Sequence, residues 1–328
     1  TLFRSLADTQ KPFRYAIDRV FNVKGAGTVV TGTAFSGTVK VNDEIYLSTG
    51  QKVRIKAIHA QNTSSEQGIA GQRLALNLNA DLDRTSMKRG DWLLQNEPLP
   101  PTDRISVQIL AEVPLNESQP VHIYHGASRT TGKLTLLQGK NAAKNDRTLA
   151  EIILDSPLFL AFGDKLILRS GDTKTLIAGA QVLEINSPKR HKRTEVRLNF
   201  LANLALAENA SQRIALTLKH NATTARQLMW TEQLTSLQLD KALVERDAVR
   251  YQDWCFNTNY IQEKTQQILT ALNTYHEQHN DQLGVSKARL YRMTALNQPE
   301  NLINHFIDEM LEEGRLQQTR GWLQIGRA

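Results

Sequence analysis

The chain of 328 residues is 40% hydrophobic and carries a formal net charge of +7. At about 150 residues per domain, this length predicts roughly two or three domains with packed cores. No run approaches the roughly 18 apolar residues of a membrane helix, so we expect no membrane partner. Cys255 is the single cysteine, which excludes an internal disulfide and a cysteine-built zinc site and fits a reducing cytoplasm. Its apolar neighbours predict a buried packing thiol.

The positive charge is unevenly distributed. Residues 1–100 hold 13 Lys and Arg against 9 Asp and Glu, and residues 188–193 hold four basic residues and no acidic one. Residues 101–187 are balanced, whereas residues 194–328 hold 14 basic and 15 acidic side chains. A basic excess is typical of a protein with a phosphate-rich partner, but it is also typical of a solvated surface, and charge alone leaves both open.

Two β-barrels are predicted in the first 187 residues. Residues 16–47 alternate β-branched with polar side chains and are interrupted by glycines where turns or bulges need conformational freedom. The prolines of NEPLPP cannot continue a central strand and favour an extended connector, so the first barrel is predicted over residues 1–97. Strand patterns resume after them and predict a second antiparallel barrel over residues 98–187.

The apolar spacing changes to three and four after SPKRHKR, which predicts a mostly helical region. We expect helices over residues 263–279, over 286–293 with Ser286 as its cap, and over 299–313 with a proline at its start. Two short strands around the Arg320–Gly321 pair then follow.

Three helices followed by a hairpin are typical of a winged helix, a fold that contacts nucleic acid or protein. We predict two such modules, over residues 188–258 and 259–328, of which the first is a degenerate copy. The predicted fold class is therefore multidomain, with two antiparallel β-barrels followed by an α-rich region of tandem winged-helix modules.

The chain lacks a motif for nucleotide hydrolysis. The nearest approach to a phosphate cradle is GASRTTGKL at residues 126–134, where five residues separate the glycines and Leu134 replaces the Ser or Thr that binds Mg²⁺. The KGAG turn at residues 24–27 lacks the third glycine of a dinucleotide fingerprint. We expect no enzyme activity and no cofactor in this chain.

Two histidine pairs have the i, i+3 spacing that a metal could bridge on a helix. His122 and His125 lie in a predicted strand, where this spacing puts the rings on opposite faces. His276 and His279 have no third ligand nearby. We therefore expect no metal site.

Asp18, Arg19 and Arg73 are the polar residues that stand out at the ends of predicted strands. A barrel can bring such strand ends together. The pattern alone is more typical of an Asp–Arg pair on the barrel rim, which contributes little stability when exposed, than of a binding pocket, and both interpretations stay open here.

Segments along the whole chain resemble the bacterial selenocysteine-specific translation elongation factors. These segments are AIDRVFNVKGAGTVVTGTAFSGTVKVNDEIYL, IHAQNTSSEQGIAGQRLALNL, RGDWLL, HIYHGASRTTGKLTLLQ, FGDKLILRSGDTKTLIAGAQVL, TYHEQH and GWLQI. The resemblance implies that the barrels are the second and third domains of a translational GTPase and that the first two winged-helix modules follow. It also implies a longer parent, with a GTPase domain that binds GTP and Mg²⁺ before this chain and final mRNA-binding winged helices after it.

The resemblance implies that the parent delivers selenocysteinyl-tRNA to the ribosome, in the cytoplasm, at a recoded UGA codon. This chain would supply the tRNA-binding barrels and a helical spacer, whereas the selenoprotein mRNA hairpin would bind modules that the chain lacks. Selenols are more acidic than thiols, whose pKa is roughly 8.5, so selenocysteine is an anion at neutral pH and serine is neutral.

The resemblance implies that Asp18, Arg19 and Arg73 form the pocket for selenocysteine, in which an Arg holds the selenolate. We also expect Lys24, Arg129 and Lys133 to contact the tRNA backbone.

Two alternatives stay open. One is a DNA-binding regulator that uses its winged helices, although the segment SKARLYRM supplies only Lys287, Arg289 and Arg292, and nonspecific phosphate binding usually needs more cations. The other is a sister GTPase that delivers an ordinary aminoacyl-tRNA, against which the helical extension argues.

Overall fold

The computed structural model describes residues 9–23, 27–79, 87–219, 221–279, 281–294 and 297–326. The chain divides into two compact units, Thr1–Ala207 with Gln227–Gln238 and Glu208–Arg226 with Leu239–Ala328. The four domain ranges given above stay predictions. None of the described helices is both long and apolar enough to cross a membrane.

The first barrel is built from nine strands. They are β1 (Arg14–Val23), β2 (Gly27–Ser36), β3 (Thr38–Lys40), β4 (Glu44–Leu47), β5 (Lys52–Ala60), β6 (Thr63–Ser65), β7 (Gln67–Ile69), β8 (Arg73–Asn79) and β9 (Trp92–Leu94). The sheet order is β4-β9-β1-β2-β8-β5-β6, and β4 also pairs with β5, which closes the sheet. The inward-facing positions form one apolar core because side chains alternate between the two faces of a strand.

A bulge in β1 shapes the outer surface of this barrel. The register of β1 against β2 shifts between Ile17 and Arg19, so Asp18 is the extra residue. Ile17 is fully buried, whereas Arg19 is exposed. A bulge re-aims side chains, and here it turns Asp18 toward the outer face of β2 and β8.

The second barrel follows without any helix, as predicted. Its strands are β10 (Thr102–Ala111), β11 (Leu115–Asn116), β12 (Ser118–His125), β13 (Ser128–Leu136), β14 (Asn141–Ala142), β15 (Arg147–Leu158), β16 (Lys165–Ser170) and β17 (Leu176–Ile185). The closed order is β10-β15-β13-β12-β16-β17, with β11 and β14 paired separately. The prediction of two antiparallel barrels is confirmed.

A buried ion pair joins the two barrels. The Arg14 guanidinium donates to both carboxylate oxygens of Asp164, at 2.8 Å each. The His125 ring lies 3.4 Å from Asp164 and stacks on Trp92, with ring centroids 5.2 Å apart. The Arg14 guanidinium also lies 5.1 Å from the centroid of the Trp92 ring. Charged and aromatic groups from both barrels therefore interlock in one buried cluster.

The basic cluster after the second barrel is partly paired with carboxylates. Lys192 Nζ lies 2.6 Å from the buried Glu151 carboxylate, and Arg193 lies 2.7 Å from Glu117. Lys189 and Arg190 are exposed. Two of the four basic residues in 188–193 thus attach this segment to the second barrel.

The rest of the chain is mostly helical, as predicted. Its elements are α1 (Glu195–Leu206), α2 (Ala210–Leu218), β18 (Thr223–Thr224), α3 (Ala225–Glu232), α4 (Ser236–Val244), β19 (Ala248–Tyr251), β20 (Trp254–Asn257), α5 (Thr258–Gln278), α6 (Lys287–Thr294), α7 (Glu300–Glu312), β21 (Leu316–Thr319) and β22 (Trp322–Ile325). Strands β18, β20 and β19 form one small sheet, and β21 and β22 form a hairpin.

Helix α5 begins earlier than its apolar spacing predicted, at Thr258 rather than residue 263. The Asn257 side chain accepts a hydrogen bond of 2.9 Å from the Tyr260 backbone N–H and so caps the added turn. The predicted cap at Ser286 is confirmed, since its hydroxyl accepts from the Arg289 N–H at 3.3 Å.

Candidate functional site

Asp18 and Arg73 meet on the outer face of the first barrel. Strand β2 lies between β1 and β8, which carry the two residues. Arg73 Nη2 donates to Asp18 Oδ1 at 3.1 Å, and a second, shorter contact joins Nη1 to Oδ2. The Thr31 hydroxyl donates to Asp18 Oδ1 at 2.8 Å. The carboxylate is therefore held by two neighbouring strands.

The local electrostatics keep both members of this pair charged. Burial by itself raises the pKa of Asp18, but hydrogen bonds from Arg73 and Thr31 outweigh burial and hold the pKa below its ordinary 3.8. The hydrogen bond to Asp18 raises the pKa of Arg73 above its ordinary value. The Arg73 side chain is 58% exposed, and a guanidinium has more N–H donors than this ion pair uses. Arg73 can thus bind a second anion.

Arg19 brings the third predicted residue to the same place. It pairs with Thr31 across the sheet, and its positive charge contributes to the lowered pKa of Asp18. Arg19 is exposed. The group formed by Asp18, Arg19 and Arg73 therefore has a net charge of one positive unit, which favours an anionic ligand.

A cleft of about 520 Å³ opens beside Arg73. Three of its lining residues are neighbours across the sheet, because Thr31 pairs with Ala75 and Ala75 pairs with His59 in the strand register. The turn after β5 forms another wall. The residues that line the cleft are Thr31, His59, Gln61, Asn62, Gly71, Gln72, Arg73, Leu74 and Ala75.

Sequence reasoning missed His59, Gln61 and Asn62 as cleft residues. The signal was available in the IHAQN segment, where polar residues follow a strand and form its turn. Gln61 and Asn62 both have positive φ, of 51° and 64°, which a tight turn requires. The turn sets the side wall of the cleft.

Sequence reasoning also missed Arg89. This exposed residue precedes Gly90, whose N–H donates to the Ile17 carbonyl at 2.9 Å, directly beside the bulge. The Ser128 hydroxyl of the second barrel donates to the Gly90 carbonyl at 3.0 Å. Arg89 and Arg129 therefore flank the point where the two barrels touch, and only the fold could bring them there.

The structure describes two of the three residues that were predicted to contact the tRNA backbone. Arg129 and Lys133 are exposed on β13, with the Arg129 guanidinium 5.8 Å from the centroid of the Tyr124 ring. Alternation along the strand puts both side chains on one face. Lys24 lies outside the described residues.

The other motifs have structural roles. His125 is buried, and His122 lies 3.1 Å from the Gly171 carbonyl, so the two rings serve separate contacts. Among the described residues, no group of three His, Cys, Asp or Glu could hold a metal ion. Residues 126–134 form the turn and strand of the β12–β13 hairpin, with no helix after them. Burial raises the pKa of the Cys255 thiol to about 11, and this residue is confirmed as a buried packing thiol.

Three protein-family models match the chain. Elongation factor Tu domain 2 matches residues 27–94, the beta-barrel domain of the selenocysteine-specific elongation factor matches residues 102–189, and the winged helix of elongation factor SelB matches residues 269–325. These matches confirm the predicted fold class, with two barrels of translation-factor type before a winged-helix region.

Two relatives that match almost the whole chain are both selenocysteine-specific elongation factors. The chain is 95% identical over 320 residues to the selenocysteine-specific elongation factor of Haemophilus influenzae, covering 98% of this chain and 52% of that protein. The chain is therefore similar to a selenocysteine-specific elongation factor along nearly its whole length. The factor of Escherichia coli is 39% identical over 318 residues, which are 97% of this chain and 50% of that protein. The chain spans about half the length of the curated relatives it matches.

A solved structure of a selenocysteine-specific elongation factor has the same fold. The crystal structure of a bacterial selenocysteine-specific elongation factor, EF-Sec, aligns with a TM-score of 0.72 at 21% identity, covering 97% of this chain and 50% of that one. At this identity, the likeness concerns the fold alone.

Proposed function

We propose that this chain supplies the tRNA-binding part of a selenocysteine-specific elongation factor, which delivers selenocysteinyl-tRNA to the ribosome at a recoded UGA codon in the cytoplasm. The observation that carries the proposal is the Asp18–Arg73 pair with Arg19 beside it, at the mouth of a cleft of about 520 Å³. A cleft of this volume is large enough to admit an aminoacyl group.

Charge would distinguish a selenocysteinyl group on the tRNA from a seryl group. A selenolate is an anion at neutral pH and can accept hydrogen bonds from the free donors of Arg73, while Asp18 keeps the guanidinium in position. Serine is neutral and leaves the guanidinium without that bond. A site whose donors are placed for one charged group favours that group over the analogue that lacks it, because only the charged group gains the extra hydrogen bonds.

The body of the tRNA would continue across both barrels. Arg89 and Arg129 flank the contact between the barrels, and Lys133 extends the same basic face along β13. These side chains are suited to phosphate oxygens, which need positive charge without sequence readout. Lys24 belongs to the same proposal.

The chemistry of GTP belongs to the whole protein. GTP and Mg²⁺ would bind the GTPase domain of the parent, and the mRNA hairpin would bind winged helices other than those described here. The residues of this chain do not fit the nucleotide, because the nearest phosphate-cradle motif lies in the β12–β13 hairpin. We therefore propose that this chain acts by binding and has no enzyme activity.

The test is Arg73→Ala, measured as binding of selenocysteinyl-tRNA and seryl-tRNA by the full-length factor. A lost charged hydrogen bond costs about 1.5 to 3 kcal/mol, so we expect selenocysteinyl-tRNA to bind roughly tenfold to a hundredfold more weakly and seryl-tRNA to change less. Arg54→Ala is the matched control, because Arg54 also pairs with an acidic residue on this barrel, Glu44 at 3.1 Å, outside the cleft. Equal weakening of both tRNAs would show that Arg73 is a general phosphate or rim residue.

A further inference from the structure

The loop between β15 and β16 of the second barrel is held from two sides. At its end, Asp164 binds Arg14 of the first barrel through both carboxylate oxygens. From the other side, Trp230 Nε1 of α3 donates to the Leu160 carbonyl at 3.0 Å, and the Phe162 N–H donates to the Thr231 carbonyl at 2.8 Å. Helix α3 therefore forms hydrogen bonds with the same β15–β16 loop that binds the first barrel.

The same segment also reaches the first barrel. Asn96, which follows β9, donates its side-chain amide to the Leu234 carbonyl at 3.1 Å. The Gln238 amide donates to the Gln10 carbonyl, just before β1, at 3.2 Å. Residues 227–238 thus form hydrogen bonds with both barrels and belong to the same compact unit as the barrels.

Apolar packing reinforces these bonds. The Trp230 side chain is 2% exposed and meets Phe159 edge-on, with ring centroids 6.4 Å apart. It belongs to a core cluster that includes Trp92 and Leu94 of the first barrel together with the interior of the second. Gln233, which is also buried, donates to the Trp230 carbonyl at 2.6 Å and closes the helix end. Displacing Trp230 would expose one of the larger aromatic surfaces of this unit.

We propose that residues 227–238 are a bracket that fixes the angle between the two barrels, with Trp230 as its anchor and as a positioning residue. The bracket prevents the β15–β16 loop from tilting, and this keeps Asp164 aligned with Arg14. If the proposed function holds, the bracket also sets the separation between the cleft at Arg73 and the basic face at Arg129, which one RNA would have to contact together.

The test measures the distance between the barrels in the whole chain, without RNA. Spin labels are attached at Lys56→Cys and Lys140→Cys, two exposed positions on the first and second barrels, in a Cys255→Ser background. With Trp230 present, we expect one narrow distance distribution by pulsed electron resonance. Trp230→Ala should roughly double the width of this distance distribution, because the two barrels could then turn about a hinge.

Two further variants separate positioning from folding. Trp230→Phe keeps an aromatic ring and should recover most of the narrow distribution, and Trp322→Ala, which removes an exposed Trp, should leave the distribution unchanged. If circular dichroism shows that Trp230→Ala is unfolded, the double variant Asn96→Ala, Gln238→Ala decides in its place. An unchanged width in the folded bracket variant overturns the proposal.

The distance measurement and the tRNA-binding measurement test the two proposals independently. A broadened distribution supports the bracket even if the chain binds no tRNA, which would contradict only the proposed function. A narrow distribution in every variant contradicts the bracket even if the Arg73 experiment succeeds.

Discussion

The Arg73 guanidinium and the Asp18 carboxylate form a two-pronged ion pair across strand β2. The pair brings together residues 55 positions apart in the chain. Because Asp18 holds Arg73 in place before any ligand arrives, an incoming anion would not have to order a free arginine side chain. Such preorganisation lowers the entropic cost of binding.

Replacing Asp18 with Asn should change stability little at neutral pH. The pair is largely solvent-facing, with Arg73 58% exposed, so we expect a loss of at most about 1 kcal/mol. The folded-state pKa of Asp18 lies below its ordinary 3.8, so its contribution is present above that value and is lost as pH falls below it. Urea midpoints of the variant and the unmodified chain should therefore converge under strong acid. A difference that persists there would mean that Asp18 acts through packing.

Acid should destabilise the joint between the barrels through His125. Burial lowers the pKa of His125 below its ordinary 6.5; the nearby Asp164 favours the charged ring and Arg14 opposes it. Below about pH 6.5 the unfolded chain therefore binds a proton that the folded chain excludes, so stability is full above this pH and falls beneath it.

His125→Gln should flatten the dependence of the melting temperature on pH between about 5 and 6.5. The pKa of Asp164 is lowered despite its burial, because Arg14 and His125 favour its charged form, so its own contribution is lost only below its ordinary 3.8. His59→Gln, at an exposed histidine, is the control. If the melting temperature depended equally steeply on pH in His125→Gln and in the unmodified chain, His125 would not be the cause of the acid effect.

The chain should not bind GTP. The one motif near a phosphate cradle lies on the β12–β13 hairpin, and Leu134 of that motif is buried in the barrel. A cradle needs backbone N–H groups at the start of a helix, together with a hydroxyl for Mg²⁺. Calorimetric titration with GTP and Mg²⁺ should show no heat of binding, and micromolar affinity would sink this prediction.

The winged helix at residues 269–325 of this chain should not recognise an mRNA hairpin. Lys287 of α6 is 2.6 Å from the Asp308 carboxylate, and the Arg289 guanidinium lies 4.8 Å from the centroid of the Tyr275 ring, so both cations already have intramolecular partners. The Tyr291 hydroxyl donates to the Gln298 carbonyl at 2.7 Å. Arg292 is exposed, as is Trp322.

A gel-shift with the whole chain would compare the selenoprotein hairpin with a scrambled hairpin of equal length. We expect equal affinity for both, because phosphate contacts alone do not distinguish sequences. Sub-micromolar binding with a preference for the native hairpin at physiological salt would mean that this chain itself contains a surface that recognises the hairpin.

Local side-chain patterns were enough to predict the secondary-structure elements and their class. Alternation such as that of Val30, Gly32 and Ala34, buried on one face of β2, is typical of a half-buried strand. Ser286 caps its helix through atoms only a few residues apart. The start of α5 was predicted too late because its cap, Asn257, lies outside the apolar repeat.

Which distant residues meet depends on long-range packing. The sequence suggested that Asp18, Arg19 and Arg73 could form a rim pair or a pocket, but their separation depends on strand register and on the β1 bulge, which no local pattern encodes. His59 joined the site only through the pairing of β5 with β8, and Arg89 only through the contact between the barrels. Local side-chain patterns specify elements over a few residues, whereas a binding site depends on long-range packing, and for this reason the fold was predictable while the full site was not.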